Sequence, residues 1–227
     1  MPPIFSAVLG LHIAAGFTAL LVGVTAMVSR KGEKLHRRSG LVYVWAMVVV
    51  FASAVILALY GSDTFLLAIA VLSFFLTFTG YRALGQKTPQ QGAKPLDWLV
   101  SSVTLLFGLG LLLWGSGVLG LFDFLAVFFG ITTVALALGS LRRFRSTPKR
   151  GEWFFSHIVG MLAAYIATFT AFAVTNITFL PPVLVWVMPT VIGTLGIILT
   201  TRHYRTKMLK GRKLRELVVV RADGGQD

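Results

Sequence analysis

Cysteine is absent from the 227-residue sequence, which excludes disulfides, iron–sulfur ligation and thiol chemistry. Charge is scarce as well: 13% of the residues are charged, against roughly a quarter in a soluble domain. Acids are the scarcer sign, 8 Asp and Glu against 21 Lys and Arg, and none lies deep in an apolar run. Proton-coupled transporters rely on buried acids, so this lack disfavours that class. The last apolar run, "VLVWVMPTVIGTLGIILTT", contains no lysine, which excludes a retinal Schiff base. No HExxH or P-loop sequence is present, so no motif assigns a reaction.

Apolar residues are what the chain has in excess: 56% are hydrophobic and the mean hydropathy is +0.81. Stretches of about 20 apolar residues recur along the chain, the signature of transmembrane helices. Spans are predicted at Phe5–Val28, Leu41–Tyr60, Phe65–Leu84, Leu96–Gly115, Leu121–Leu141, Trp153–Thr175 and Val183–Thr201. The fold class is an all-α integral membrane bundle of seven transmembrane helices over residues 1–201, followed by a basic tail over 202–227. No basic segment precedes the first run, and it is longer than the roughly 7–15 apolar residues of a signal peptide. It reads as a retained span.

The basic residues give the orientation. Five lie between the first two spans, three between the third and fourth, five between the fifth and sixth, and eight from Arg202 onward. That accounts for all 21, while "GSDT", "GSGVLG" and "NITFLPP" on the other side carry none. The positive-inside rule makes the basic side cytoplasmic, with the amino terminus outside a bacterial inner membrane. A formal charge of +13 suits nucleic acid in a soluble protein. Confined to membrane-flanking loops, it points instead to the bilayer and its anionic lipids, and to no nucleic acid. Within "KGEKLHRRSGLVYVW", Ser39-Gly40 offers a helix start, with Tyr43 and Trp45 as interfacial anchors. Asp97 stands in the first turn of the fourth span, where it can cap the helix and meet Arg82.

Four histidines are the candidates for chemistry. His36 and His203 flank the inner ends of spans two and seven among arginines, where a snorkelling interfacial role is the ordinary alternative. His12 and His157 lie within spans, and an ionisable group there defaults to a functional hypothesis. At 1.5 Å per residue His12 lies ~10 Å below the outer surface and His157 ~6 Å above the inner one, ~14 Å apart in a ~30 Å core. Two imidazoles on one iron need nitrogens only ~4 Å apart. His12 and His157 therefore do not share a metal. His157 with His36 or His203 matches in depth and makes an inner cofactor-binding cluster, for a metal or haem b. The alternative is that His157 only fixes helix packing through a hydrogen bond. Tyr165, ~18 Å from the inner end, falls near His12 in depth. A hydrogen-bonded His12–Tyr165 pair is expected there, and Thr168 lies nearby on the small-residue stripe His157, Gly160, Ala164, Thr168, Ala171 of the sixth span. That region, with the break at Pro189, makes a second candidate site for a small or lipidic ligand between spans one, six and seven.

The stretches "LHIAAGFTALLVG", "HRRSGLVYVWAM", "GYRAL…DW" and "H…AAYIATFTAF…LPP…PT" resemble a group of uncharacterised predicted membrane proteins of bacteria, over nearly the whole chain. That resemblance implies a multi-span fold and brings no activity with it. The first-span histidine followed by His-Arg at span two is also similar to haem-carrying bundles of the cytochrome b561 type. The matched in-span histidine pairs of those bundles are missing. Two functions compete: a haem- or metal-binding protein, and a transporter or sensor.

Overall fold

A computed structural model describes residues 3–88, 90–118, 120, 122–146 and 151–209. Seven long helices are present among them: α1 (Pro3–Val28), α2 (Lys34–Tyr60), α3 (Thr64–Arg82), α4 (Pro95–Gly115), α5 (Phe124–Phe144), α6 (Glu152–Asn176) and α7 (Pro182–Leu209). Each is long and apolar enough to cross a bilayer. Helices are what an apolar chain forms there, because every backbone N–H and C=O must find its partner within the segment.

Two antiparallel hairpins, α1–α2 and α4–α5, make the most extensive contacts, and α3 stands between them against α2, α4 and α6. Helix α6 packs on α3 and α7 and touches α1 more sparsely. The core lies where α2, α3 and α6 meet, around Tyr43, Met47, Phe75 and Ala164. Asp63 and Asp123 cap α3 and α5 by accepting from Leu66 N and Ala126 N.

Glycine decides where helices touch backbone to backbone. A Cβ on Gly160 of α6 would lie 2.5 Å from Gly80 Cα of α3, and one on Gly115 of α4 would lie 2.6 Å from Ala126 Cβ of α5. Small residues thus set the approach, as expected where lipid removes the hydrophobic drive between helices. On α1, Ala19 and Gly23 are buried, whereas a Cβ at Gly16 would meet nothing.

Two sequence expectations are corrected. Helix α2 begins at Lys34, not at Ser39-Gly40. The Ser39 hydroxyl donates back to Leu35 O at 2.7 Å, so it lies inside the helix and does not cap it. Five basic residues in and beside this turn suppress hydropathy without suppressing helix, which is why the apolar run starts later than the helix. At the other end α7 runs past Thr201 to Leu209. The remainder of the expected tail, 210–227, lies outside the described residues. Pro189 sits inside α7 without ending it.

Candidate functional site

The end of the bundle carrying the basic loops is built around the last turn of α1. A helix C-terminus leaves carbonyls without intrahelical donors. Gly32, at φ +82°, lets the five-residue link reverse direction, and α2 then starts with His36 on its first turn. His36 Nδ1 donates to Ala26 O at 2.9 Å. Lys31 Nζ donates to the same oxygen at 3.2 Å and to Met27 O. The half-buried Lys31 ammonium is held below the ordinary lysine range by desolvation.

His157 stands five residues into α6 and meets α3 where Gly80 and Gly160 bring the two backbones together. Its Nδ1 donates to Gly80 O at 2.9 Å. The His36 and His157 rings are then neighbours, with centroids 6.3 Å apart and planes nearly perpendicular at 82°. A carbonyl oxygen only accepts, so both Nδ1 atoms carry protons, and Nε2 is the nitrogen of each ring left for a ligand. This is how a ligating histidine is ordinarily set: one nitrogen tied to a backbone carbonyl, the other left for a metal. One turn before His157 along α6, Trp153 carries Lys87 Nζ over its ring at 5.1 Å from the centroid. Lys31 and Lys87 both lie within electrostatic reach of His157.

His203 does not join this pair. It is exposed on α7 with its ring against Tyr204 at 5.5 Å. Among the described residues no three of His, Asp and Glu come together as a metal site. The acid nearest in sequence to His36, Glu33, pairs with exposed Arg30 at 3.3 Å. Asp97 is spent on structure, as expected. It takes Arg82 Nε and a second guanidinium nitrogen at 2.7 and 2.8 Å, and Lys94 N at 2.7 Å.

The other candidates separate. His12 and Tyr165 do not bond to each other. His12 Nδ1 lies 3.0 Å from Ser53 Oγ on α2. Ser53 itself donates to Val49 O at 2.7 Å and so accepts from His12. Tyr165 donates to Leu20 O at 3.3 Å. Leu20 is eight residues beyond His12, about 12 Å of helix rise. The expectation took span ends as level. Tyr165 is ~20 Å from the start of α6, whereas Leu20 is only ~12 Å from the end of α1, so α6 protrudes further at this end. Thr168 faces the core: it accepts from the Tyr43 hydroxyl at 3.0 Å and donates to Ala164 O at 3.0 Å. Of His12, Tyr165 and Thr168, Tyr165 alone lines the groove of about 470 Å³ between α6 and α7, beside Ile166, Phe169, Met188, Pro189 and Gly193.

Sequence reading passed over Lys31, Lys87, Ser53 and Gly80. Lys31 and Ser53 carry a local signal, a cation just past a helix end and a hydroxyl in an apolar run. The carbonyl of Gly80 carries none, because any residue has one.

Residues 9–114 match the family model described as Predicted membrane protein (DUF2306). The match takes in α1 to α4, with His12, Lys31, His36 and Lys87, and stops short of His157. Its description assigns a membrane location and no activity. No curated protein and no solved structure matches the chain.

Proposed function

We propose that the chain is a metal-carrying membrane protein in which Nε2 of His36 and Nε2 of His157 hold one metal, haem iron foremost. The observation that carries this is the pair of neighbouring imidazoles, ring centres 6.3 Å apart, each with Nδ1 already spent on a carbonyl. A metal ~2 Å from an imidazole nitrogen lies roughly 3 Å from the ring centre, so two opposed ligands put the centres about 6 Å apart. The donor count selects the kind of metal. Two imidazoles with no third protein ligand among the described residues suit an iron whose other four positions belong to a macrocycle. Haem so held supplies one-electron transfer. By the positive-inside rule this end faces the cytoplasm of a bacterial inner membrane, with exposed Lys34, Arg37 and Arg38 against anionic headgroups.

The test is an absorption spectrum with metal analysis of the purified protein and of His36→Gln and His157→Gln. A Soret band with stoichiometric iron, lost in either variant, is expected. A sample with neither band nor stoichiometric metal overturns the reading.

The α6–α7 groove favours a second reading, a transporter or sensor for a lipidic ligand. Its lining is apolar, and Gly193 lets Ile166 approach where a Cβ would lie 2.3 Å away. Photo-crosslinking of a lipid probe to Met188, against its absence there, tests this.

A further inference from the structure

The groove between α6 and α7 is closed at one end. Its deepest lining residues are Tyr165 and Ile166 on α6 and Ile192 and Gly193 on α7. There the helices meet, with Ile166 filling the space that a Gly193 Cβ would occupy. From that floor the lining follows α6 to Ile177, in the link to α7 at the end of the bundle away from the basic loops. Tyr165 to Ile177 is ~18 Å of helix rise, against ~15 Å for half of a bilayer's hydrocarbon core. The groove has the depth of one leaflet.

Its width selects the occupant. A volume of about 470 Å³ over ~18 Å leaves a mean cross-section of ~26 Å². A helix roughly 10–12 Å across needs ~80 Å² or more, so no helix of a second copy or another protein fits. Methylenes that touch their neighbours at about 4.0–4.5 Å need ~20 Å², which admits one hydrocarbon chain and not two. Among the described residues no charged side chain lines the groove, and the Tyr165 hydroxyl already donates to Leu20 O. Residues 177–181, which join the two helices, are uncharged as well, so nothing there selects a headgroup by its sign.

Resting on the reading of this groove as a lipid site, we infer that it takes one linear acyl chain of an amphiphile from the leaflet away from the basic loops. The chain enters methyl end first, the headgroup stays at the α6–α7 link, and Ile166 against Gly193 sets the length accepted. An extended chain advances ~1.2 Å per bond, as an extended peptide backbone does, so about 15 carbons reach the floor.

Photo-crosslinking of the full chain in nanodiscs tests this without a mutation. The probes are phosphatidylcholines with a diazirine near the ester or at the methyl end of a chain of about 15 carbons. The first is expected to label Leu180 and Leu184, and the second Ile166 and Ile192. Both should exceed severalfold the labelling of Leu21, an exposed α1 residue at the depth of Tyr165. Phosphatidylglycerol probes should give the same pattern. Met188→Trp, which sets a ring across the middle of the groove, should lower methyl-end labelling of Ile166 severalfold and leave Leu21 unchanged. Labelling of Met188 with no order by depth overturns the inference and leaves a lipid at the groove. Labelling no stronger than at Leu21, or products that join Met188 to a second copy, overturns the reading beneath it as well.

Discussion

His12 and His157 are the same residue in nearly the same setting, half-buried within an apolar helix with Nδ1 already bonded. Their surroundings divide them. His12 meets a serine hydroxyl on the neighbouring helix, and no second imidazole is paired with it. His157 meets a backbone carbonyl, a second imidazole across a helix seam, and the positive charge of Lys31 and Lys87. On the reading proposed above, what stands opposite its free nitrogen makes His157 a ligand, and depth in the membrane does not decide it.

The widest test of that contrast is to remove each ring in turn. His157→Gln should lower haem affinity by more than the roughly 10–100-fold that loss of an outer-shell partner costs. His12→Gln should leave the spectrum unchanged; a bleached spectrum there would collapse the distinction. Next comes the support beneath His157. Gly160→Ala forces a Cβ to 2.5 Å from Gly80 Cα, an overpacking worth about 1–3 kcal/mol, and displaces the carbonyl that holds the imidazole. Lower thermal stability together with weaker haem binding is expected, read by melting and titration. Gly16→Ala, where nothing stands within 4 Å, should be neutral or slightly stabilising.

Smaller effects mark residues that pack without ligating. Tyr43→Phe strips Thr168 of the hydroxyl that donates to it in the buried core and should cost about 1 kcal/mol with the spectrum intact. Ser53→Ala removes the one side-chain acceptor of His12 and should cost only ~0.6 kcal/mol, typical of a polar contact between spanning helices. A larger loss would mean that the His12 end is tied as firmly as the basic end.

The seven helices were legible because a bilayer-spanning helix writes itself as a run of about 20 apolar residues. The start of α2 was not, because charge masks helix in hydropathy while Lys34 to Arg38 still pair their backbones. The His36–His157 pairing was legible as a match in depth. Choosing His36 over His203 was not, since that depends on which helices are neighbours: α6 crosses α3 at Gly80, and the tight α1–α2 turn swings His36 toward it. The His12–Tyr165 expectation failed for a related reason, the unequal protrusion of α1 and α6, which no span length records. Lys31 and Lys87 had been absorbed into the charge count that orients the chain, and only the fold sets Lys31 beside His36 and Lys87 over Trp153.

The most direct test of the central claim is low-temperature electron paramagnetic resonance of the oxidised, haem-loaded protein beside His36→Gln and His157→Gln. A low-spin ferric signal of two axial imidazoles, turning high-spin in either variant, is the predicted result. A high-spin signal in the unmodified protein, or a low-spin signal that survives loss of His36, would contradict it.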